Sequence, residues 1–487
     1  MSSSIRRVGI GIVVLLGLLA TQLGYIQLVR SDDLNADPAN IRLVLRDFAR
    51  SRGPIVTSDG TVIAKSKRSN DDYGYQRIYP DGPLYAHITG YQSLRYGLAG
   101  IEREYDDTLL GKRFEIGFND IDAILSDEQS EGTVVLTVDS GAQQAAADAL
   151  AGNRGSVVVL DVKTGGIVAM YSNPTYDPNL IATHDPAASE AFYNSYRDDA
   201  ANPMRSRAYR ERFPAGSTFK VITTAIALGL GVATPATTYP NLLELELPLT
   251  DHKISNFNDA KCGGTLAVSF RDSCNTTFAQ IGLDLREAFA RGVEDFGINA
   301  SPPTIDLPEP MVQSLGPIRG SYKTDAPSFA QAAIGQGPVS VTPLQMALVA
   351  LGVANGGRIW VPHLGHELQD NNGNVVERIA PKLYKTAMSG AAASALRTMM
   401  TEVVRSGTGT RAAIPGVQVA GKTGTAQQPG GAPHAWFIGF APSETPRYAI
   451  AVLVERGGDL GDDGTGGKVA APIAASVFTE LFSRSRP

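Results

Sequence analysis

The chain has 487 residues, 43 Lys and Arg against 49 Asp and Glu for a net charge of -6, and 43% hydrophobic residues. That is enough for about two to four domains with ordinary cores. No long Lys/Arg run appears, which argues against a nucleic-acid binder, and two cysteines, Cys262 and Cys274, are too few for a disulfide scaffold or a four-cysteine zinc site.

Residues 1–7 form a short tail holding Arg6 and Arg7, followed by 22 uncharged residues from Val8 to Val29. A run of that length spans a bilayer, and the arginines should stay on the cytoplasmic side. No A-x-A-like site precedes Arg30, so an uncleaved anchor is expected rather than a removed signal peptide. The expected location is the inner (plasma) membrane, single-pass, with everything after the anchor (8–29) outside the cytoplasm.

Residues 30–154 read as a small mixed accessory domain. Asp59-Gly60 between two β-branched runs signals a hairpin. Thr133–Val138 reads as a strand, leading through Asp139 into an alanine-rich helix over Gln143–Ala151. No chemistry is evident there, and a boundary is placed near Gly155. From Gly155 to Met170 a buried strand, a Lys-Thr-Gly-Gly turn at Lys163 and a second strand form a hairpin.

The stretch F-P-A-G-S-T-F-K (Phe213–Lys220) opens a run without another breaker until Gly229, apolar on nearly every face. The pattern predicts a buried helix starting at Ser217. Ser217 and Lys220 then share a face, a hydroxyl beside a base, in the first turn where free N–H groups favour an oxyanion. Alone, S-x-x-K more often means a helix cap and a surface lysine, although no other serine in this chain has lysine three residues on.

Two further groups follow. Ser273 and Asn275, in R-D-S-C-N-T-T-F, can face one cavity from a loop, with local side-chain bonding as the bland alternative. Val417–Gln427, His434–Ala441 and Tyr448–Glu455 read as an antiparallel meander. On its first strand Lys422 and Gly424 alternate with Thr423 and Thr425, and the glycine admits a second backbone. Cation, hydroxyls and free N–H groups there suit a carboxylate and an oxyanion. The K-T-G at Lys163 sits on a turn and is read as structural. His363 and His366 lack a third ligand, so no metal is expected. His434 beside Trp436 is expected at the site's rim, and the glycine-rich Gly457–Gly467 is expected to be a mobile loop.

The ordered set S-x-x-K, S-x-N, K-T-G is that of penicillin-binding proteins and class A β-lactamases. The chain resembles the class B penicillin-binding proteins, monofunctional D,D-transpeptidases, nearest the short actinobacterial PbpA type. Arg52-Gly53 with Ile55, the G-x-E-x-x-Y-x-x-x-L-x-G pattern at Gly100–Gly111, Ile334–Gln345, Gly407–Thr410 and H-A-W-F-I-G-F-A-P carry the likeness. Thr57, Ser58 and Ser206 depart from the family's usual residues.

The resemblance implies an α+β penicillin-binding transpeptidase fold over 155–487, with a five-stranded antiparallel sheet flanked by helices and an α-helical subdomain. It implies peptidoglycan cross-linking through a serine acyl-enzyme with release of D-Ala, and β-lactams as inhibitors. Ser217 would be the nucleophile and Lys220 its base. Ser273 would relay a proton, Asn275 would hold the substrate amide, and Lys422 would tune the relay. Thr423 and Thr425, around Gly424, would bind the terminal carboxylate, and the N–H groups of Ser217 and Thr425 would form the oxyanion hole. No cofactor is implied, and a SEDS-family, RodA-like glycosyltransferase is the implied membrane partner. A D,D-carboxypeptidase or β-lactamase-like hydrolase would use the same groups with water as acceptor. A non-turnover β-lactam sensor or scaffold is a third reading, disfavoured by the few residues before Val8. Cys262 and Cys274 lie outside the expected membrane span and are candidates for a disulfide, although Cys274 sits within S-x-N, where strain would disturb the site.

Overall fold

The computed structural model describes residues 3–30, 48–112, 131–428 and 430–483. Parts of the expected accessory domain, at 31–47 and 113–130, lie outside the described residues. The chain packs as two compact units, one of Met1–Ser51 with Ser66–Gln76 and one of Arg52–Lys65 with Arg77–Pro487.

In the first unit, helix α1 (Ser3–Leu28) contains the apolar stretch Ile5–Gln27, with mean hydropathy 2.0 and none of it buried. Its leucine, isoleucine and valine side chains are exposed on every side, which is compatible with a single-pass membrane anchor. Phe48 meets Tyr73 edge to face, with ring centroids 6.4 Å apart.

The second unit begins with strand β1 (Ile55–Val56), which turns at Asp59-Gly60 and pairs antiparallel with β2 (Val62–Arg68). Gly60 has φ 83°, the left-handed conformation such turns require. β3 (Tyr75–Ile78) follows β2 in the sheet, and β1 pairs in parallel with β4 (Thr133–Leu136). The free edge of β4 is filled by β7 (Gly365–Gln369), itself paired with β8 (Val375–Arg378), giving the order β8-β7-β4-β1-β2-β3. Residues far beyond Gly155 therefore complete the sheet of the N-terminal region.

Beneath this sheet, Glu102 is fully buried between two buried arginines. Arg77 Nε donates to Glu102 Oε1 at 2.6 Å and Arg52 Nε to Oε2 at 3.1 Å, while Arg77 Nη1 bonds the carbonyls of Arg52 and Gly53. Thr57 and Ser58 satisfy local polar groups, Asp59 Oδ1 at 2.6 Å and Val138 O at 3.0 Å.

Asp139 caps helix α2 (Ser140–Leu150) by accepting from Ala142 N, so the helix begins three residues before Gln143. Strands β5 (Gly155–Asp161) and β6 (Ile167–Asn173) form the expected hairpin. β9 (Ala420–Gln428), β10 (Gly431–Ala441) and β11 (Tyr448–Val454) form the expected meander, and β11 pairs with β5 to give the order β9-β10-β11-β5-β6. β5 is buried on both faces because alternate residues enter different cores. Val157 and Val159 pack with α2 and the C-terminal helix α8 (Ala471–Ser483), and Val158 and Leu160 with the larger core. That second face is covered by α6 (Pro343–Ala354), every residue of which is buried. Around it stand α4 (Lys220–Gly229), α5 (Asn275–Leu285) and α7 (Gly390–Ser406). This is the five-stranded, helix-flanked arrangement expected.

Removing the carboxylate between Arg52 and Arg77 leaves two buried guanidinium groups without it. Glu102→Ala should therefore lose about 3–5 kcal/mol of stability, read as a lowered midpoint in chemical or thermal denaturation; an unchanged midpoint would show that the cluster contributes nothing net.

Candidate active site

Ser217 does not open an α-helix directly. It lies in a 3-10 turn, Gly216–Phe219, and the α-helix begins at Lys220. Gly216 has φ 52°, and its N–H bonds Gly335 O at 2.9 Å. Gly335, at φ 76°, comes so close that a Cβ there would collide with Gly216 O. Trp436 Nε1 donates to Pro214 O at 2.9 Å, fixing the other side of the turn.

Facing the turn is β9, the edge strand of the five-stranded sheet. A Cβ on Gly424 would stand 2.9 Å from Ala215 O and from Thr218 Cγ2, so only glycine lets the turn lie against the strand. Thr425 O approaches the Cβ position of Gly216 to 2.9 Å. A strand residue's N–H and C=O point to the same side. The Thr425 N–H is thus directed from the open edge toward the Ser217 turn. Thr425 Oγ1 accepts from Gly466 N at 3.3 Å, and Thr423 Oγ1 is 2.6 Å from Thr408 Oγ1. Ser217 itself is half-buried.

The expected groups from three separate stretches converge on Ser273. Lys220 Nζ donates to Ser273 O and Asn275 Oδ1, both at 2.8 Å, and lies 3.3 Å from Ser273 Oγ. Lys422 Nζ donates to the same Ser273 Oγ at 2.9 Å and to Thr423 O at 3.1 Å. Asn275 begins α5, and its Nδ2 donates to Ser255 O at 3.0 Å. Ser273 has φ 64°, a left-handed conformation that is uncommon for serine and places both its carbonyl and its hydroxyl on the lysines. Cys274 is disulfide-bonded to Cys262 on a neighbouring strand. The direct Ser217–Lys220 hydrogen bond suggested by helical spacing is not formed among the described residues. Lys220 is drawn to the acceptors of the Ser273 turn, because a fully buried amine must satisfy its N–H groups there.

Both lysines are fully buried, and no carboxylate lies within ion-pair distance of either among the described residues. Burial, then the charge of neighbouring Lys422, holds Lys220 well below the usual lysine range. Burial pushes Lys422 down to about 7. Burial and repulsion therefore both shift Lys220 toward the neutral amine, which has two N–H donors and one lone pair. Lys422 then carries what charge the pair holds.

Other expectations resolve differently. The K-T-G at Lys163 stays in the β5–β6 turn, where Asp161 Oδ1 accepts from Lys163 N and Thr164 N. His434 is buried rather than at a rim, packed edge to face on Phe213 at 5.3 Å, in contact with Gln428 and accepting from Arg456 N. The glycine-rich stretch expected to be mobile is folded into turns: Asp459 N bonds Asn153 Oδ1 at 3.0 Å, and Gly466 packs on Gly424 and Trp436. The supporting roles of Gly335, Thr408, Trp436 and Gly466 had no chemical signal in the sequence. Their trace is I-G-Q-G for Gly335, G-T-G-T for Thr408, H-A-W-F for Trp436 and the glycine-rich Gly457–Gly467 for Gly466.

The penicillin-binding protein transpeptidase domain family matches residues 155–479, and the penicillin-binding protein A dimerisation domain family matches 52–135. Among curated proteins, the peptidoglycan D,D-transpeptidase PbpA of Mycolicibacterium smegmatis is 40% identical, with 98% of each chain covered. That of Mycobacterium tuberculosis is 36% identical at the same coverage. Penicillin-binding protein A from M. tuberculosis, solved as a ceftriaxone acyl-enzyme complex, superposes with a TM-score of 0.82 at 34% identity, over 90% of this chain and 99% of that one. Its penicillin G acyl-enzyme complex gives 0.81 at 34% identity, over 89% of this chain and 100% of that one. With the fold, the convergent serine and lysines and these likenesses together, the chain belongs to the penicillin-binding protein transpeptidase family.

Proposed function

We propose that the chain is a peptidoglycan D,D-transpeptidase in which Ser217 forms the acyl-enzyme. The observation that carries the reading is the convergence of two buried lysines on one serine hydroxyl. Ser217 Oγ attacks the carbonyl joining the last two D-alanines of a stem peptide, and its proton passes to the lone pair of neutral Lys220. The carbonyl oxygen becomes an oxyanion held by the N–H groups of Ser217 and Thr425, a device worth roughly 3–4 kcal/mol per donor. The C–N bond then breaks, and Ser273 Oγ gives its proton to the leaving nitrogen while drawing one back from Lys220. An amine of a second stem peptide attacks the ester, the same proton path runs in reverse, and the cross-link forms as Ser217 regains its hydrogen.

Each remaining group has a task in this scheme. Asn275, oriented by Lys220 and Ser255, holds the substrate amide. Thr423 and Thr425 bind the terminal carboxylate, and charged Lys422 polarises Ser273 and attracts that carboxylate. β-Lactams enter by the same geometry and leave Ser217 acylated. The catalytic unit works outside the cytoplasm, anchored by α1. A SEDS-type, RodA-like glycosyltransferase is its partner in glycan synthesis, a reading supported by family resemblance and tested by in-membrane cross-linking to such a protein.

Intact-mass analysis with penicillin should show one stable adduct on the wild-type chain and none on Ser217→Ala. An adduct on the variant refutes the nucleophile, and release by water within minutes favours the hydrolase reading. The second-order acylation rate should follow a bell-shaped pH profile. It rises as Lys220 loses its proton, well below the ordinary lysine value, and falls near pH 7 as Lys422 discharges; Lys422→Arg should abolish the falling limb. Folding stability should change in the opposite sense on the alkaline side. Between pH 7 and the ordinary lysine value the unfolded chain binds more protons than the folded one, so stability rises with pH through that window. Denaturation midpoints across it check the sign.

A further inference from the structure

A cavity of about 310 Å³ lies in the second unit, apart from the groups assembled around Ser273. Its walls come from the helix Gly82–Thr89, from α3 (Pro186–Asp198) and from the segment around Tyr209 that runs on into Phe213 and the Ser217 turn. Tyrosines dominate it. Tyr91 and Tyr209 are buried, and Tyr193 and Tyr196 stand half-buried on one face of α3. Tyr193 is stacked on Tyr96, with centroids 3.8 Å apart and planes 11° from parallel, which makes it a rigid platform.

A tyrosine cluster of this kind can simply cement two parts of a fold. Two observations argue for more. The cavity is open to solvent and, at about 310 Å³, reaches the size of small-ligand pockets, roughly 300–1,000 Å³. The hydroxyls of Tyr91, Tyr193, Tyr196 and Tyr209 make no hydrogen bond among the described residues and are reached by solvent, so a ligand can use them, while Tyr176 Oη, deeper in the wall, donates to Ala86 O at 3.1 Å. Glu309 lines the same cavity with no ion pair among the described residues, and Arg210, tied by Nη1 to Pro310 O at 2.6 Å, keeps its remaining N–H groups.

The lining selects among ligand chemistries. Flat aromatic faces with unused hydroxyls suit a ligand having one apolar face and a polar edge. A simple cation would suit the aromatic rings and Glu309, but three arginines, at 197, 205 and 210, share the wall and oppose it. An amino sugar meets every feature: its ring face stacks on Tyr193, its hydroxyls and amide pair with the phenols and Glu309, and a carboxylate substituent meets Arg210.

We propose that this cavity is a second, non-catalytic binding site for the amino-sugar backbone of a glycan, resting on the proposed function only for the source of that glycan. A strand held there would be retained near the enzyme while its stem peptides react at Ser217, since the Tyr209 wall continues directly into the nucleophile's turn.

The test is isothermal titration of the full-length chain in detergent with the disaccharide of N-acetylglucosamine and N-acetylmuramic acid lacking any stem peptide. Saturable binding is expected, unchanged after Ser217 has been acylated by penicillin. It should weaken about five- to tenfold in Tyr193→Ala and also in the milder Glu309→Gln. Penicillin adduct formation on each variant reports that it is folded, and on the wild type it reports separately on the Ser217 reading. Absence of saturable binding to an acylation-competent wild-type chain overturns the second site and leaves the catalytic reading standing. Binding lost on acylation, or undiminished in both variants, likewise overturns it.

Discussion

Everything at the site depends on two fully buried lysines that have no carboxylate within ion-pair distance among the described residues. An isolated buried ammonium is costly, and two sharing one hydroxyl cannot both be charged without strong repulsion. The cost is relieved by shifting Lys220, which burial and the charge of Lys422 both act on, toward the neutral amine, while its N–H groups stay on Ser273 O and Asn275 Oδ1. In the proposed mechanism a base is thus made from a residue that in water would be a cation. The same burial leaves Lys422 close enough to neutrality for its charge to respond to modest changes in surroundings, such as the arrival of a substrate carboxylate.

Holding those lysines requires backbones at unusually close approach. Gly216, Gly335, Gly424 and Gly466 let a 3-10 turn, a loop, a strand edge and a C-terminal turn stack within distances that any Cβ would prevent. Ser273 adds another special conformation at the centre, a positive φ for a residue whose hydroxyl and carbonyl are both engaged. The rigidity behind this comes from α6, buried along its whole length against the sheet, and from β5, buried on both faces. A centre built on such elements is positioned by packing rather than by flexible loops.

The N-terminal region is welded to the catalytic part by chain topology as much as by side chains. Strands at Gly365–Gln369 and Val375–Arg378 complete the sheet that begins at Ile55, so a division at residue 155 cuts the sequence but not the hydrogen-bond ladder. Glu102, in the helix Gly100–Glu104 and buried between Arg52 and Arg77, ties that helix to the segment just before β1 and to β3. The tyrosine-lined cavity lies where this region and the catalytic part meet, on the segment that leads into Ser217.

Local chemistry was legible from residues alone. The anchor helix, the Asp59-Gly60 hairpin, the β5–β6 hairpin and the three-strand meander follow from periodicity and turn residues, which are properties of neighbours in sequence. The ordered triple marks Ser217, Ser273 and Lys422 in the sequence; helical spacing pairs the serine with Lys220, the strand pattern around Lys422 suits a carboxylate, and family resemblance supplies the remaining roles. Tertiary structure alone decided that Lys220 turns to Ser273 rather than to Ser217, that β7 closes a sheet begun three hundred residues earlier in outline by β1, and that His434 is a core residue. It also decided which glycines matter, because a missing side chain leaves no local signal of what it must avoid. The physical reason is common to all four: each depends on desolvation or contact between distant segments, and free energies of that kind do not exist until the chain has brought those segments together.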